Sequence, residues 1–119
     1  MAIKKLFQRL SVPVSQLDQA RLRDFCAALP GVTPIAELVP REEAALVGEI
    51  TTLRIVPRAG SPSLEATISD GTGSVAASWT GRRRIAGVTP GRRLVISGRG
   101  APGGPGGRLI FYNPRYELL

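Results

Sequence analysis

Leu64-Glu65-Ala66-Thr67-Ile68-Ser69-Asp70-Gly71-Thr72-Gly73-Ser74-Val75-Ala76-Ala77-Ser78-Trp79 is the stretch that decides the architecture. Leu64, Ala66 and Ile68 alternate with Glu65, Thr67 and Ser69, and Val75, Ala77 and Trp79 repeat the pattern after Asp70-Gly71-Thr72-Gly73. Successive side chains of a strand point to opposite faces, so a period of two marks a strand with one buried face. Two such runs joined by a four-residue Asp-Gly turn predict an antiparallel hairpin.

Working outward, Ala45 to Val56 is a longer run rich in β-branched residues. Ile50 and Leu53 are an odd number of residues apart, so both can face inward only if the strand bends, at Gly48 or at the Thr51-Thr52 pair. The turn Arg58-Ala59-Gly60-Ser61-Pro62 leads from this strand into the hairpin. Downstream, Gly81 to Gly91 holds Arg82-Arg83-Arg84, Ile85 and Val88 and is short for a helix, so it reads as a connector. Leu94 and Ile96 alternate in a fourth strand, Gly98 to Gly107 is a loop, and Leu109 to Leu118 supplies a fifth. Five strands in about 75 residues, without helical crossovers, match a mostly β five-stranded OB-fold barrel over residues 41–119.

Residues 1–40 have the other period. Ile3, Leu6, Phe7 and Leu10 recur at helical spacing among Lys4, Lys5, Gln8 and Arg9 and predict a short amphipathic helix that Pro13 ends. Ser15, with Asp18 three residues on, reads as the N-cap of a second helix whose apolar face is Leu17, Leu22, Phe25, Cys26 and Leu29 and which Pro30-Gly31 stops. The segment to Pro40 is a loosely packed linker in which Ile35, Leu38 and Val39 are placed to cover one end of the barrel. This N-terminal helical extension is also the candidate docking element for a protein partner.

Composition excludes more than it assigns. A chain of 119 residues has room for one modest core and not for separate substrate lobes. It contains no histidine and one cysteine, Cys26, which removes the commonest general base, the Ser-His and Cys-His nucleophile pairs and a thiolate metal cage. The expectation is a protein that is not an enzyme and carries no metal or cofactor. Gly98-Arg99-Gly100-Ala101-Pro102-Gly103 matches GxGxxG formally, but no helix follows to present its N-terminus to a pyrophosphate. A single cysteine and the lack of a signal peptide or an apolar run of spanning length predict a cytoplasmic protein with no membrane span.

The net charge of +7 is unevenly shared, with six basic and five acidic residues in 1–43 against ten and four in 44–119. The field therefore belongs to the barrel region and favours phosphate polymers. Candidate nucleic-acid-binding residues are Arg54, Arg58, Arg82, Arg83, Arg84, Arg99, Arg108 and Arg115 for phosphates, with Trp79 and Tyr112 as rings on which bases stack. Trp79 shares parity with Val75 and Ala77, which points it to the barrel interior or rim unless it serves as such a platform. Phe111 and Tyr112 must face opposite sides, and the hydroxyl assigns Tyr112 to the wet one. The parity of Tyr116 stays open, because Asn113-Pro114 can reset it.

The succession Val47-Gly48-Glu49-Ile50, Asp70-Gly71-Thr72-Gly73, Trp79-Thr80-Gly81-Arg82, Pro90-Gly91-Arg92-Arg93-Leu94, Ser97-Gly98-Arg99 and Asn113-Pro114-Arg115-Tyr116-Glu117 resembles the OB-fold wedge domain of the helicase RecG. It is similar as well to small actinobacterial OB-fold nucleic-acid-binding domain proteins. The resemblance covers residues 44 to 119 and implies a barrel that binds nucleic acid, single-stranded or branched DNA or else RNA, without chemistry of its own. The alternative is an OB-fold adaptor that docks a larger assembly, the charge serving solubility.

Overall fold

The computed structural model describes residues 14–119, except the side chains of residues 14–16 and of Arg58. The helix expected over Ile3 to Leu10 lies outside the described residues. Helix α1 (Val14–Ala27) comes first, then a 3₁₀ turn (Ile35–Glu37) and six strands: β1 (Glu43–Arg58), β2 (Ser61–Ser69), β3 (Ser74–Thr80), β4 (Arg93–Arg99), β5 (Ile110–Tyr112) and β6 (Arg115–Leu118).

The β2–β3 hairpin has the register that its alternation implies, with Leu64 opposite Trp79, Ala66 opposite Ala77 and Ile68 opposite Val75. All six side chains are buried in one core with Leu46, Ile50, Leu94, Ile96 and Phe111 from the other strands. Strand β1 pairs with β4 through residues 43–49 and with β2 through residues 49–58, and its register shifts between Ile50 and Thr52. The bulge therefore falls at Thr51, and it brings both Ile50 and Leu53 to the core side. Gly48 has another task. A Cβ there would lie 2.6 Å from Ile68 Cγ2 and 2.8 Å from the Ser69 carbonyl oxygen, so β2 crosses β1 where only glycine fits.

The expected closed barrel of five strands is corrected to an open six-stranded sheet in the order β5-β3-β2-β1-β4-β6. Its two edge strands are pieces of the single strand expected over Leu109 to Leu118. Asn113 adopts the left-handed conformation (φ 48°) and Pro114 has no N–H to donate, so no continuous ladder runs through them. The piece before the break pairs parallel to β3, and the piece after it pairs antiparallel to β4. One core nevertheless serves the whole sheet. Ile85 and Val88 of the connector and Ile35 of the 3₁₀ turn are buried in it, with Leu38 packed alongside.

The linker is thereby tied into the sheet. The Ile35 amide donates to Asp70 Oδ2 (2.8 Å), and the Thr33 amide donates to the Ala45 carbonyl (2.8 Å). Val39, expected to help cover the barrel end, is exposed. Helix α1 rests on the opposite face of the sheet, where Leu22 and Cys26 pack against Val47, with Phe25, Leu29 and Val95 around them. Gly71 admits this contact, since a Cβ there would stand 2.8 Å from the Gln19 carbonyl oxygen. Ser15 lies within the helix rather than ahead of it. Leu17, assigned to the buried face, is 45% exposed, whereas Leu22 and Cys26 further along the helix pack on the sheet. Among the described residues no helix is long and apolar enough to cross a membrane.

Candidate nucleic-acid interface

Register places the first group of candidates in a single row. Arg54 stands opposite Glu65, Glu65 opposite Ser78, and Ser78 beside Tyr112, across β1, β2, β3 and β5. Neighbouring strands are about 4.8 Å apart, so the row spans roughly 14 Å of the sheet face that points away from the core. Tyr112 is 51% exposed at one end of it, while Phe111 turns into the core. At the other end the Arg54 guanidinium holds Glu65 at 2.9 Å, with the carboxylate nearly covered (2% exposed) and the arginine largely open.

The connector joins the same end of the sheet. Ala59 (φ 50°) and Gly60 (φ 80°) form the tight turn between β1 and β2, and Arg58 is the last residue before it. The Gly81 amide donates to the Pro62 carbonyl (2.8 Å), which brings the chain leaving β3 alongside that hairpin tip. The Thr80 amide donates to Asn113 Oδ1 (2.9 Å), and the Asn113 amide donates to the Ser78 carbonyl (2.7 Å), which ties the β5–β6 break to the same corner. Three segments distant in sequence, the β1–β2 hairpin, the start of the Arg82-Arg83-Arg84 connector and the β5–β6 break, are thus tied to the same end of β3. Arg82, Arg83 and Arg84 are exposed and make no hydrogen bond or ion pair among the described residues.

The remaining arginines are engaged within the chain. Arg115 donates to Glu43 Oε1 (2.8 Å) and to Ser97 Oγ (3.3 Å), and Arg99 lies 3.7 Å from the other Glu43 oxygen. One carboxylate thus serves two candidates. Arg108 donates to Ser74 Oγ (2.7 Å) and to the Pro105 carbonyl (3.3 Å), at the far end of β3 from the connector. Both partners are neutral, so its charge is anchored without being cancelled.

Trp79 belongs to the core and presents no open ring face, being 6% exposed with Nε1–H donating to the Pro114 carbonyl at 3.4 Å. As a stacking platform it is corrected to an interior residue, as its shared parity with Val75 and Ala77 requires. Tyr116 leans against it in an edge-to-face contact, with centroids 5.7 Å apart, and is 42% exposed. It pairs with Ile96, so the Asn113-Pro114 break does reset the strand parity and turns Tyr116 to the core side of the sheet. Tyr116 and Asn113 are absent from the sequence-derived set of site residues. The only signal for either was the Asn-Pro dipeptide.

Among the described residues no group of three or more Cys, Asp or Glu residues is placed to hold a metal ion. Cys26 borders a half-open cavity of about 160 Å³ beneath α1, and burial, followed by the negative charge of Asp70, pushes its thiol up to about 11. At neutral pH it is a protonated, poorly nucleophilic group.

No protein-family model matches the chain, and none of the curated proteins does. Among solved structures, one of RecG bound to a three-way DNA junction is similar to 74% of this chain, with a TM-score of 0.60 and 19% identity, and the similar part makes up 12% of that chain. The likeness is one of fold. It agrees with the resemblance to RecG carried by the succession from Val47-Gly48 to Asn113-Pro114.

Proposed function

We propose that this chain is a non-catalytic binder of single-stranded or branched nucleic acid, DNA in the first place, that grips backbone phosphates through arginines with little sequence specificity. The fold is read as OB-type, with β5 and β6 as the two halves of a last strand that spans from β3 to β4. The observation that carries the proposal is the Arg82-Arg83-Arg84 turn. Three adjacent exposed arginines, without a hydrogen bond or ion pair among the described residues, follow Gly81, whose amide holds the chain leaving β3 beside the β1–β2 hairpin tip. Like charges crowded in this way repel one another, and no packing gain within the chain offsets that cost. A polyanion does offset it, because each neutralised phosphate releases condensed counterions. The solved structure of RecG on a DNA junction supports the same ligand class by analogy of fold.

Fluorescence anisotropy with single-stranded, duplex and forked DNA, at low and high salt, tests this reading. Neutralising four to six phosphates gives a slope of log affinity against log salt of roughly −3 to −4 for single strands. Absence of salt-dependent binding to all three forms would overturn the proposal. A second reading, docking of a protein partner, is favoured by α1, where residues 17–21 are all exposed although the helix includes Leu17. A helix packed along half its length has little to hold the other half in water.

A further inference from the structure

The cavity beneath α1 is separated from the arginine-bearing connector by the length of β3, because the Asp70 turn that borders it precedes that strand and the connector follows it. Its lining is mostly apolar. Cys26 and Val47 are the buried part, half-buried Leu29 and Val32 stand beside them, and Ala27 lies on the exposed rim. The charged groups of the lining are of two kinds. Asp70 is committed, since Oδ1 accepts from the Thr72 amide, the Thr72 hydroxyl and the Gly73 amide, and Oδ2 accepts from the Ile35 amide. Arg23, exposed at the rim, makes no hydrogen bond or ion pair among the described residues. We propose that this cavity binds a small monocarboxylate with a branched or aromatic hydrocarbon body, the body lying against Cys26, Val47, Leu29 and Val32 and the carboxylate facing outward on Arg23.

Size, polarity and charge each narrow the ligand. The volume of about 160 Å³ is close to the roughly 150 Å³ of apolar cavities that take up benzene, so a body of about six carbon atoms fits. Water is the weaker occupant. A buried water needs two to four polar partners, whereas here Asp70 is committed and the Thr33 amide is used on the Ala45 carbonyl. Charge then sets the direction of binding. The Asp70 carboxylate repels a second anion inside the cavity, while the Arg23 guanidinium at the rim offers paired N–H donors that match a carboxylate. A ligand held between α1 and the Asp70 turn also ties the helix to the sheet, so by mass action it stabilises the docked helix. Cys26, the one cysteine in the chain, lies under the bound body and reports its presence.

The experiment follows alkylation of Cys26 by iodoacetamide in the full chain at mildly alkaline pH, with phenylacetate, phenylacetamide and acetate as probes. No oligonucleotide enters it, so its outcome is independent of the nucleic-acid reading. Phenylacetate is expected to bind with a dissociation constant on the order of 0.1–1 mM, as its size allows, and at about ten times that concentration to slow alkylation roughly tenfold. Acetate, which lacks the body, should leave the rate unchanged. Phenylacetamide, which lacks the charge, should need roughly tenfold more for the same protection. Arg23→Gln should weaken phenylacetate by about that factor and leave phenylacetamide as it is, and Ala27→Phe, at the exposed rim, should close the cavity to both. If Ala27→Phe does not fold, the probe series on the unaltered protein still decides. Alkylation that phenylacetate does not slow at about 10 mM would overturn the site. Equal protection by phenylacetate and phenylacetamide, unchanged in Arg23→Gln, would overturn the assignment of a carboxylate ligand.

Discussion

Strand β3 is preceded by Asp70-Gly71-Thr72-Gly73 and followed by Gly81-Arg82-Arg83-Arg84, two polar segments of equal length that put their side chains to opposite uses. In the first, Asp70 is buried and accepts hydrogen bonds from the amides of Ile35, Thr72 and Gly73 and from the Thr72 hydroxyl, at 2.6 to 3.2 Å. The Thr72 hydroxyl in turn accepts from the Ala36 amide (3.1 Å). In the second, the three arginines form no hydrogen bond or ion pair among the described residues. A polar side chain whose bonding capacity is consumed internally holds the fold together. One whose capacity is left over is available to a partner.

The largest effect expected from this contrast is on folding. Asp70→Ala strips an acceptor from several donors, among them the amide of buried Ile35, and unsatisfied donors cost about 1–3 kcal/mol each. A loss of stability on the order of 2–4 kcal/mol in urea titration is expected, with nucleic-acid affinity unchanged under conditions where the variant is folded. A change within about 0.5 kcal/mol would mean that the turn is not what ties the linker to the sheet.

The complementary variant, with Arg82, Arg83 and Arg84 all changed to alanine, should leave stability within about 0.5 kcal/mol of the parent, since exposed side chains of this kind contribute little to folding. Its effect belongs to binding. The slope of log affinity against log salt should become shallower by up to about 2, with affinity reduced for all sequences alike. A folded triple variant with the parent's affinity and slope would make the segment a solvated turn and shift the weight to protein docking.

The smallest expected effect lies at the Glu43 corner, which is intermediate between the two turns. Its carboxylate is shared between Arg99 (3.7 Å) and Arg115 (2.8 Å). Both arginines are largely exposed, so the ion pairs contribute little to folding. Glu43→Gln releases both guanidinium groups and should tighten binding by about two- to threefold at low salt, the gain fading as salt screens it. Unchanged affinity at low salt would place this corner outside the interface.

Much of the fold was legible in the chain because strand alternation is a local property. The inward sets Leu64, Ala66, Ile68 and Val75, Ala77, Trp79 follow from backbone pleating alone, as does the opposition of Phe111 and Tyr112. The need for a bend in β1 was legible too, from the parity of Ile50 and Leu53, although its seat at Thr51 and the separate role of Gly48 depend on how β2 crosses. The N-terminal helix was read less well. Leu17 fits its apolar period but finds no surface, because what a helix buries depends on the width of the face it meets and not on its own pattern.

Of the candidate site, the sequence by itself determined which residue types were available: arginines in excess over 44–119, few aromatics and no histidine. It also placed Arg82, Arg83 and Arg84 in a connector and Tyr112 on the outer face. Tertiary structure alone decided which charges remain free. Glu43 reaches Arg115 across 72 residues of chain, and Glu65 neutralises Arg54 through a cross-strand register that neither segment encodes alone. It likewise decided that Trp79 is interior and that Tyr116 rests on it, on the far side of a break whose effect on parity the sequence left open. The physical reason is one of range. Pleat and turn are dictated by residues a few positions apart, whereas the neutralisation of a charge and the support of a ring are dictated by whatever the folded sheet brings alongside.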